Sequence, residues 1–245
     1  MVLKNIKCEI SYDGSEYCGY QIQPKLKTIQ GEIQKVLTEI TKSDIKVYAS
    51  GRTDTGVHAK KQVINFYHDS NIPSERWAIA LNMLLPDDIV VNTVEEMPLD
   101  FHARYDVRVK TYRYSINNQS VCNVFRRDFT LHYPYFLDVG LMNNASKLYI
   151  GSHDFSSYSS VKAKLNRERI IYDSEVWKEG DEIIFQISGN GFLHNMVRIL
   201  MGTLIQVGNG KISADEFQLI LEKKDRKLAG YTVPAKGLTL WDVIY

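Results

Sequence analysis

Apolar and polar residues alternate along this chain with two different periods, and each change of period marks a change of element. Ile6, Cys8 and Ile10 are separated by charged or polar neighbours, the two-residue repeat of a half-buried strand, and the turn residues Asp13-Gly14 follow. After Thr28, a residue suited to cap a helix, Ile29, Ile33, Leu37 and Ile40 fall on one helical stripe. Residues 45–49 and 62–67 are rich in β-branched and aromatic side chains and predict two strands. Ser74 is placed to cap a second helix with Trp77, Leu81 and Leu84 inward, stopped at Pro86, and residues 89–94 predict another strand. This half reads β-α-β-β-α-β.

Beyond Met97-Pro98, residues 106–116 predict a strand whose two-residue period puts Arg108, Lys110, Tyr112 and Tyr114 on one face. Cations interleaved with aromatics suit a nucleic-acid surface, because phosphates pair with the former and bases stack on the latter. Solvated cations beside half-buried tyrosines on an ordinary antiparallel sheet give the same pattern. Leu141, Ala145 and Leu148 mark a helix ending near Gly151. Residues 170–178 and 182–188 pair as a hairpin across Glu179-Gly180-Asp181. Gly189-Asn190-Gly191 leads into a helix with Leu193, Val197, Leu200, Leu204 and Val207 on its apolar stripe, while Asn195, Arg198, Gly202 and Gln206 occupy another. Ser213 and Glu216 form a capping box for a helix carrying Phe217, Ile220 and Leu221, and residues 238–245 alternate as a closing strand. The mixture is α+β: two halves, 1–105 and 106–245, with no low-complexity linker between them and a continuous sheet expected across both.

At 245 residues, 44% hydrophobic and 24% charged, the composition is that of an ordinary globular chain. Thirty Lys and Arg against 29 Asp and Glu do not announce a nucleic-acid partner, so any such site must come from local clustering. One cluster is the run 161–169, where Lys162, Lys164, Arg167 and Arg169 face a single Glu, either a solvated loop or a phosphate-holding one. Three cysteines, odd in number and without paired spacing, argue for a reducing compartment. With no signal-peptide core in the first residues and no apolar run long enough for a bilayer, a cytoplasmic protein without membrane contact is expected.

Gly51-Arg52-Thr53-Asp54-Thr55-Gly56-Val57-His58-Ala59 is a polar loop between two predicted strands, where binding and catalysis concentrate. Its glycines allow a sharp turn around the one carboxylate. Should Arg52 and Asp54 meet, the cation would favour the ionised carboxylate, suiting a nucleophile or charged anchor better than a general acid. As a bland alternative, Asp54 caps a turn and Arg52 pairs at the surface. The Asp-Thr-Gly tripeptide of aspartic proteases is a poor match, since only one copy occurs and polar residues precede it. Walker and Rossmann glycine patterns are absent, no serine sits in a nucleophile elbow, and the six histidines lack metal-helix spacing. His58 and His102 read as hydrogen-bonding residues rather than metal ligands.

Several stretches resemble the TruA family of tRNA pseudouridine synthases. They are Tyr12-Asp13-Gly14 with Gly19-Tyr20-Gln21, the loop from Gly51 to Ala59, Phe101-His102-Ala103-Arg104 and Lys110-Thr111-Tyr112-Arg113-Tyr114. They continue in Asp154-Phe155, Gly191-Phe192-Leu193-His194-Asn195-Met196-Val197-Arg198 and Ala235-Lys236-Gly237-Leu238. The resemblance covers nearly the whole chain in order, and the Asp54 loop is its most specific part. Tyr20 stands where the family often has Trp, and Thr55 where it often has Ala; neither removes a group the chemistry needs.

The resemblance implies the pseudouridine synthase fold, two ferredoxin-like α+β halves sharing a mostly antiparallel central sheet flanked by helices. It implies a cofactor-free and metal-free isomerisation of uridine to pseudouridine at positions 38 to 40 of the tRNA anticodon stem-loop, by a homodimer whose tRNA bridges both subunits. Asp54 is then the essential carboxylate, and Arg198 pairs with it. Tyr112 stacks on the target base and takes its C5 proton, and Arg52 helps to extrude the base. His58, Arg108, Lys110 and the basic run 162–169 are candidate RNA contacts. A tRNA binder without catalysis, or a relative acting on other uridines, would keep the same scaffold.

Overall fold

The computed structural model describes residues 2–160 and 166–245, apart from the side chain of Ala214. Two compact units emerge: Met1–Arg108 with Leu240–Tyr245, and Val109–Thr239.

In the first unit the elements are β1 (Lys4–Tyr12), α1 (Ile29–Thr41), β2 (Val47–Ala49), β3 (His58–His68), α2 (Trp77–Asn82) and β4 (Ile89–Met97). Strand β1 lies between β4 and β3, antiparallel to both, and β2 pairs antiparallel with β3. That 4-1-3-2 order with its β-α-β-β-α-β succession is the ferredoxin-like plan. Ile6, Cys8, Ile10 and Tyr12 are buried on alternate positions of β1, and Asn5 is buried as well. Thr28 caps α1 by accepting from the Gly31 N–H, and Ile29, Ile33, Val36 and Leu37 form its buried stripe. The second helix departs from the pattern reading. Ser74 opens a short 3-10 turn and donates its hydroxyl to Glu96 instead of capping a helix. The end of α2 tightens, with the N–H groups of both Leu84 and Leu85 donating to the Leu81 carbonyl, which turns Leu85 inward and leaves Leu84 exposed.

The second unit contains β5 (Val109–Asn117), β6 (Leu131–His132), α3 (Val139–Lys147), β7 (Gly151–Asp154), β8 (Glu168–Glu179), β9 (Glu182–Gly189), α4 (Met196–Gly208) and α5 (Ala214–Lys223). Its strand order is β5-β9-β8-β7, antiparallel throughout, while β6 pairs parallel with β5. The hairpin of β8 and β9 turns at Gly180, and the capping box at Ser213 and Glu216 starts α5, both as the sequence predicts. In α3 the Asp138 cap sets the phase, so Met142, Ala145 and Ser146 are buried and Leu141 and Leu148 are exposed. Strand β10 (Leu238–Ile244) carries Leu240 and Val243 back into the first unit beside β3. No helix among the described residues is long and apolar enough to cross a membrane.

Candidate active site

The first group of candidate residues lies on the loop between β2 and β3, and buried hydrogen bonds hold its backbone nearly residue by residue. The Ser50 N–H donates to the Val63 carbonyl at 2.8 Å, and the Ser50 hydroxyl to Gln62 Oε1 at 2.5 Å. Gln62 Nε2 then donates to the Gly51 carbonyl at 2.9 Å. Thr53, 6% exposed, shares a 2.8 Å hydrogen bond between its hydroxyl and that of Tyr12. Its carbonyl accepts from the Tyr20 N–H at 3.1 Å. The Asp54 carbonyl accepts from the Val57 N–H at 3.1 Å, closing a turn in which Gly56 takes φ +75°, a conformation glycine adopts without strain. The Gly56 N–H donates to the Tyr17 carbonyl, and the hydroxyl of Tyr17 donates to Asp88.

Within this frame Asp54 is half-buried and Arg52 is exposed. Among the described residues Arg52 makes no ion pair, so the Arg52–Asp54 pairing suggested by their spacing does not form. With Thr53 pinned inward on Tyr12, Arg52 is left on the outer side. His58 is 2% exposed and starts β3. Gly14 donates its N–H to His58 Nδ1 at 3.0 Å, and Asp13 Oδ1 stands equally close. On this geometry His58 shapes the loop from beneath.

Burial pushes the Tyr12 phenol up to about 12, with the hydrogen bond to Thr53 opposing, so Tyr12 is a neutral hydroxyl near pH 7. Burial and then the neighbouring Tyr12 raise Tyr20 well above the ordinary range. Neither Tyr12 nor Gln62 stood out as a site residue in the sequence. The signal was present, because the alternation Ile6, Cys8, Ile10 continues to Tyr12 on the buried face.

The second group belongs to the second unit. Tyr112, 8% exposed, meets Phe192 edge to face with ring centroids 5.1 Å apart. Tyr114 is a core residue: its hydroxyl donates to the Pro234 carbonyl at 2.8 Å, and burial raises its pKa against the opposing effect of Arg198. The expected face of alternating cations and base-stacking aromatics therefore loses Tyr114 to the core. Arg108 is exposed just ahead of β5, and Lys110 is half-buried within it.

Arg198 is half-buried. Its Nε donates to the Val233 carbonyl at 2.8 Å and its Nη1 to Asn195 Oδ1 at 2.7 Å. This stripe of α4 is covered because Gly202 lets the chain pass close, a Cβ there falling 1.9 Å from the Tyr231 carbonyl oxygen. Of the basic run, Lys162 and Lys164 lie outside the described residues. Arg167 and Arg169 are half-buried. Arg169 Nη1 donates to the carbonyls of Asn166 and Glu168, and burial lowers its pKa. Among the described residues no three His, Cys, Asp or Glu side chains gather as a metal site would require.

The sequence profile of a family described as tRNA pseudouridine synthase matches residues 10–106 and 145–245. A Brevibacillus brevis protein named tRNA pseudouridine synthase A is 49% identical over 244 residues, 99% of this chain and 100% of that one. Its namesake from Anoxybacillus flavithermus is 49% identical over 245 residues, 99% of each chain. A Bacillus cereus protein named tRNA pseudouridine synthase A 1 is 47% identical over 245 residues, again 99% of each chain. A chain in the solved structure of an H/ACA RNP bound to a substrate RNA containing 2′-deoxyuridine is a far more distant likeness. Its TM-score is 0.35 at 13% identity, over 82% of this chain and 53% of that one.

Proposed function

The chain belongs to the tRNA pseudouridine synthase family, and on that premise we propose that it converts uridine to pseudouridine in tRNA with Asp54 as the essential carboxylate. The reaction breaks the N1–C1′ bond, turns the uracil and joins C5 to C1′. C5 gives up a proton and N1 gains one, so the atoms balance without a cofactor. Asp54 serves by attacking C1′ or uracil C6, or by assisting loss of the 2′ proton to give a glycal. Each route needs an acceptor or nucleophile held at a set angle to the sugar, and proximity of that kind is a large part of catalysis.

The observation carrying this reading is the bonded frame around Asp54, which leaves that one acidic side chain half-buried on a loop whose backbone is tied down on both sides. Tyr112 is assigned to the target base, stacking on it and taking the C5 proton. Arg198 is assigned to the carboxylate. Arg52 is exposed and suited to enter RNA and displace the base from its stack, at a cost of a few kcal/mol. The RNA contacts assigned to Arg108, Lys110 and the basic run 162–169 act through phosphates; His58 acts through the loop it supports.

The proposed substrate is the anticodon stem-loop at positions 38 to 40, recognised by shape and backbone because neighbouring targets differ in sequence. A homodimer holding each tRNA across both subunits, at work in the cytoplasm, completes the proposal.

Asp54→Asn is expected to abolish tritium release from tRNA labelled at uridine C5 while tRNA binding persists, and product digests should place pseudouridine at positions 38 to 40. Near-normal turnover by Asp54→Asn would remove Asp54 from the chemistry. Binding by the unaltered protein with no pseudouridine formed would favour a non-catalytic tRNA binder, and pseudouridine at other positions a different substrate.

A further inference from the structure

The frame around Asp54 has two buried anchors. Tyr12 closes β1, Gln62 lies on β3 and Thr53 precedes Asp54, and the hydroxyls of Tyr12 and Thr53 share a hydrogen bond. Tyr12 and Thr53 are buried and Gln62 is fully so. Gln62 in turn holds Ser50 and the Gly51 carbonyl. The loop thus enters through Gln62 and reaches Asp54 through Thr53, and the Tyr12 phenol holds the second of these anchors.

Nothing in the packing of the core requires this arrangement. A Phe would fill the end of β1 as well as Tyr12 does, and a Val would fill the Thr53 position. What the hydroxyls add is direction. The Thr53 side chain and carbonyl are both committed, the first to Tyr12 and the second to the Tyr20 N–H, so the peptide leading into Asp54 has little freedom to rotate. Removing either hydroxyl strands the other in a buried site, where an unpaired polar group is costly and the chain moves to relieve it.

We infer that Tyr12 and Thr53 are positioning residues for the isomerisation, a hydroxyl pair that sets the angle at which the Asp54 carboxylate meets the sugar without touching the RNA. The inference rests on the reading of Asp54 as the essential carboxylate. Reactions that depend on alignment lose about a hundredfold for a displacement near 1 Å.

The experiment compares Tyr12→Phe, Thr53→Val, the double variant, Thr53→Ser and Asp54→Asn. It measures single-turnover tritium release from C5-labelled tRNA, tRNA affinity by filter binding, and melting temperature. Tyr12→Phe and Thr53→Val are each expected to slow the single-turnover rate by about ten- to a hundredfold with affinity held within about twofold, the signature of an interaction used in the transition state. The double variant should be no slower than the worse single one, because both remove the same hydrogen bond. Thr53→Ser, which keeps the hydroxyl, should recover most of the rate.

Wild-type rates in Tyr12→Phe and Thr53→Val overturn the inference, as do rate effects that add in the double variant. A slowing that follows the melting temperature, with Thr53→Ser no better than Thr53→Val, also overturns it by making the hydrogen bond merely structural. Asp54→Asn separates the two levels. If it is inactive while the hydroxyl variants are normal, only the positioning role fails; if it turns over normally, the reading beneath it fails.

Discussion

Burying a phenol whose hydroxyl finds no partner costs free energy, and Tyr20 does so beside the Asp54 loop. It is 3% exposed, and among the described residues its hydroxyl makes no hydrogen bond. Its useful contact is through the backbone, where the N–H holds the Thr53 carbonyl. Tyr20→Phe is therefore expected to raise unfolding stability by about 1 kcal/mol, read as a higher urea midpoint at unchanged slope. A lower midpoint would mean that the hydroxyl is satisfied and useful. At this scale Asp54, Tyr112 and Arg198 were reachable through resemblance and Tyr12 through strand parity. The absent Arg52–Asp54 pair was not: spacing of two residues brings side chains together only on a regular strand, and Thr53 bends this loop inward.

Elements were legible in kind and order, less so in facing. Helix α4 reads as two stripes, one apolar and one carrying Asn195, Arg198, Gly202 and Gln206, which leaves open whether Arg198 faces solvent. Most of α4 is buried, because residues 230–234 run along the second stripe. The Gly202 backbone lies against the Tyr231 backbone, and no flexible side chain stands there to yield. Gly202→Ala is expected to cost about 3 kcal/mol or more, in the upper range of overpacking, measurable by urea unfolding. A neutral result would mean that the segment can retreat from the helix. Helices α2 and α3 show the smaller form of the same difficulty. One tightened turn or one cap residue shifts the phase and exchanges Leu84 for Leu85, or Leu141 for Met142, as the buried position.

For the molecule as a whole, the near balance of 30 basic and 29 acidic residues means that attraction to RNA must be local. Replacing Lys162, Lys164, Arg167 and Arg169 together by Gln is expected to weaken tRNA binding and to flatten its salt dependence, by about one unit of slope for each phosphate that is no longer neutralised. An unchanged slope would place the RNA elsewhere. Arg169 also braces its own turn through the Asn166 and Glu168 carbonyls, so its share of the effect includes some local order. Period, caps and turn residues act over a few neighbours, and from them the sequence by itself determined the types and order of elements, with resemblance supplying the family and its candidate residues. Only the tertiary structure decided which stripes are covered, that Tyr114 belongs to the core while Tyr112 retains an edge, and that the final strand returns to the first unit. Those outcomes depend on contacts between residues far apart in the chain, such as Gly202 with Tyr231 and Tyr12 with Thr53, which no local pattern encodes.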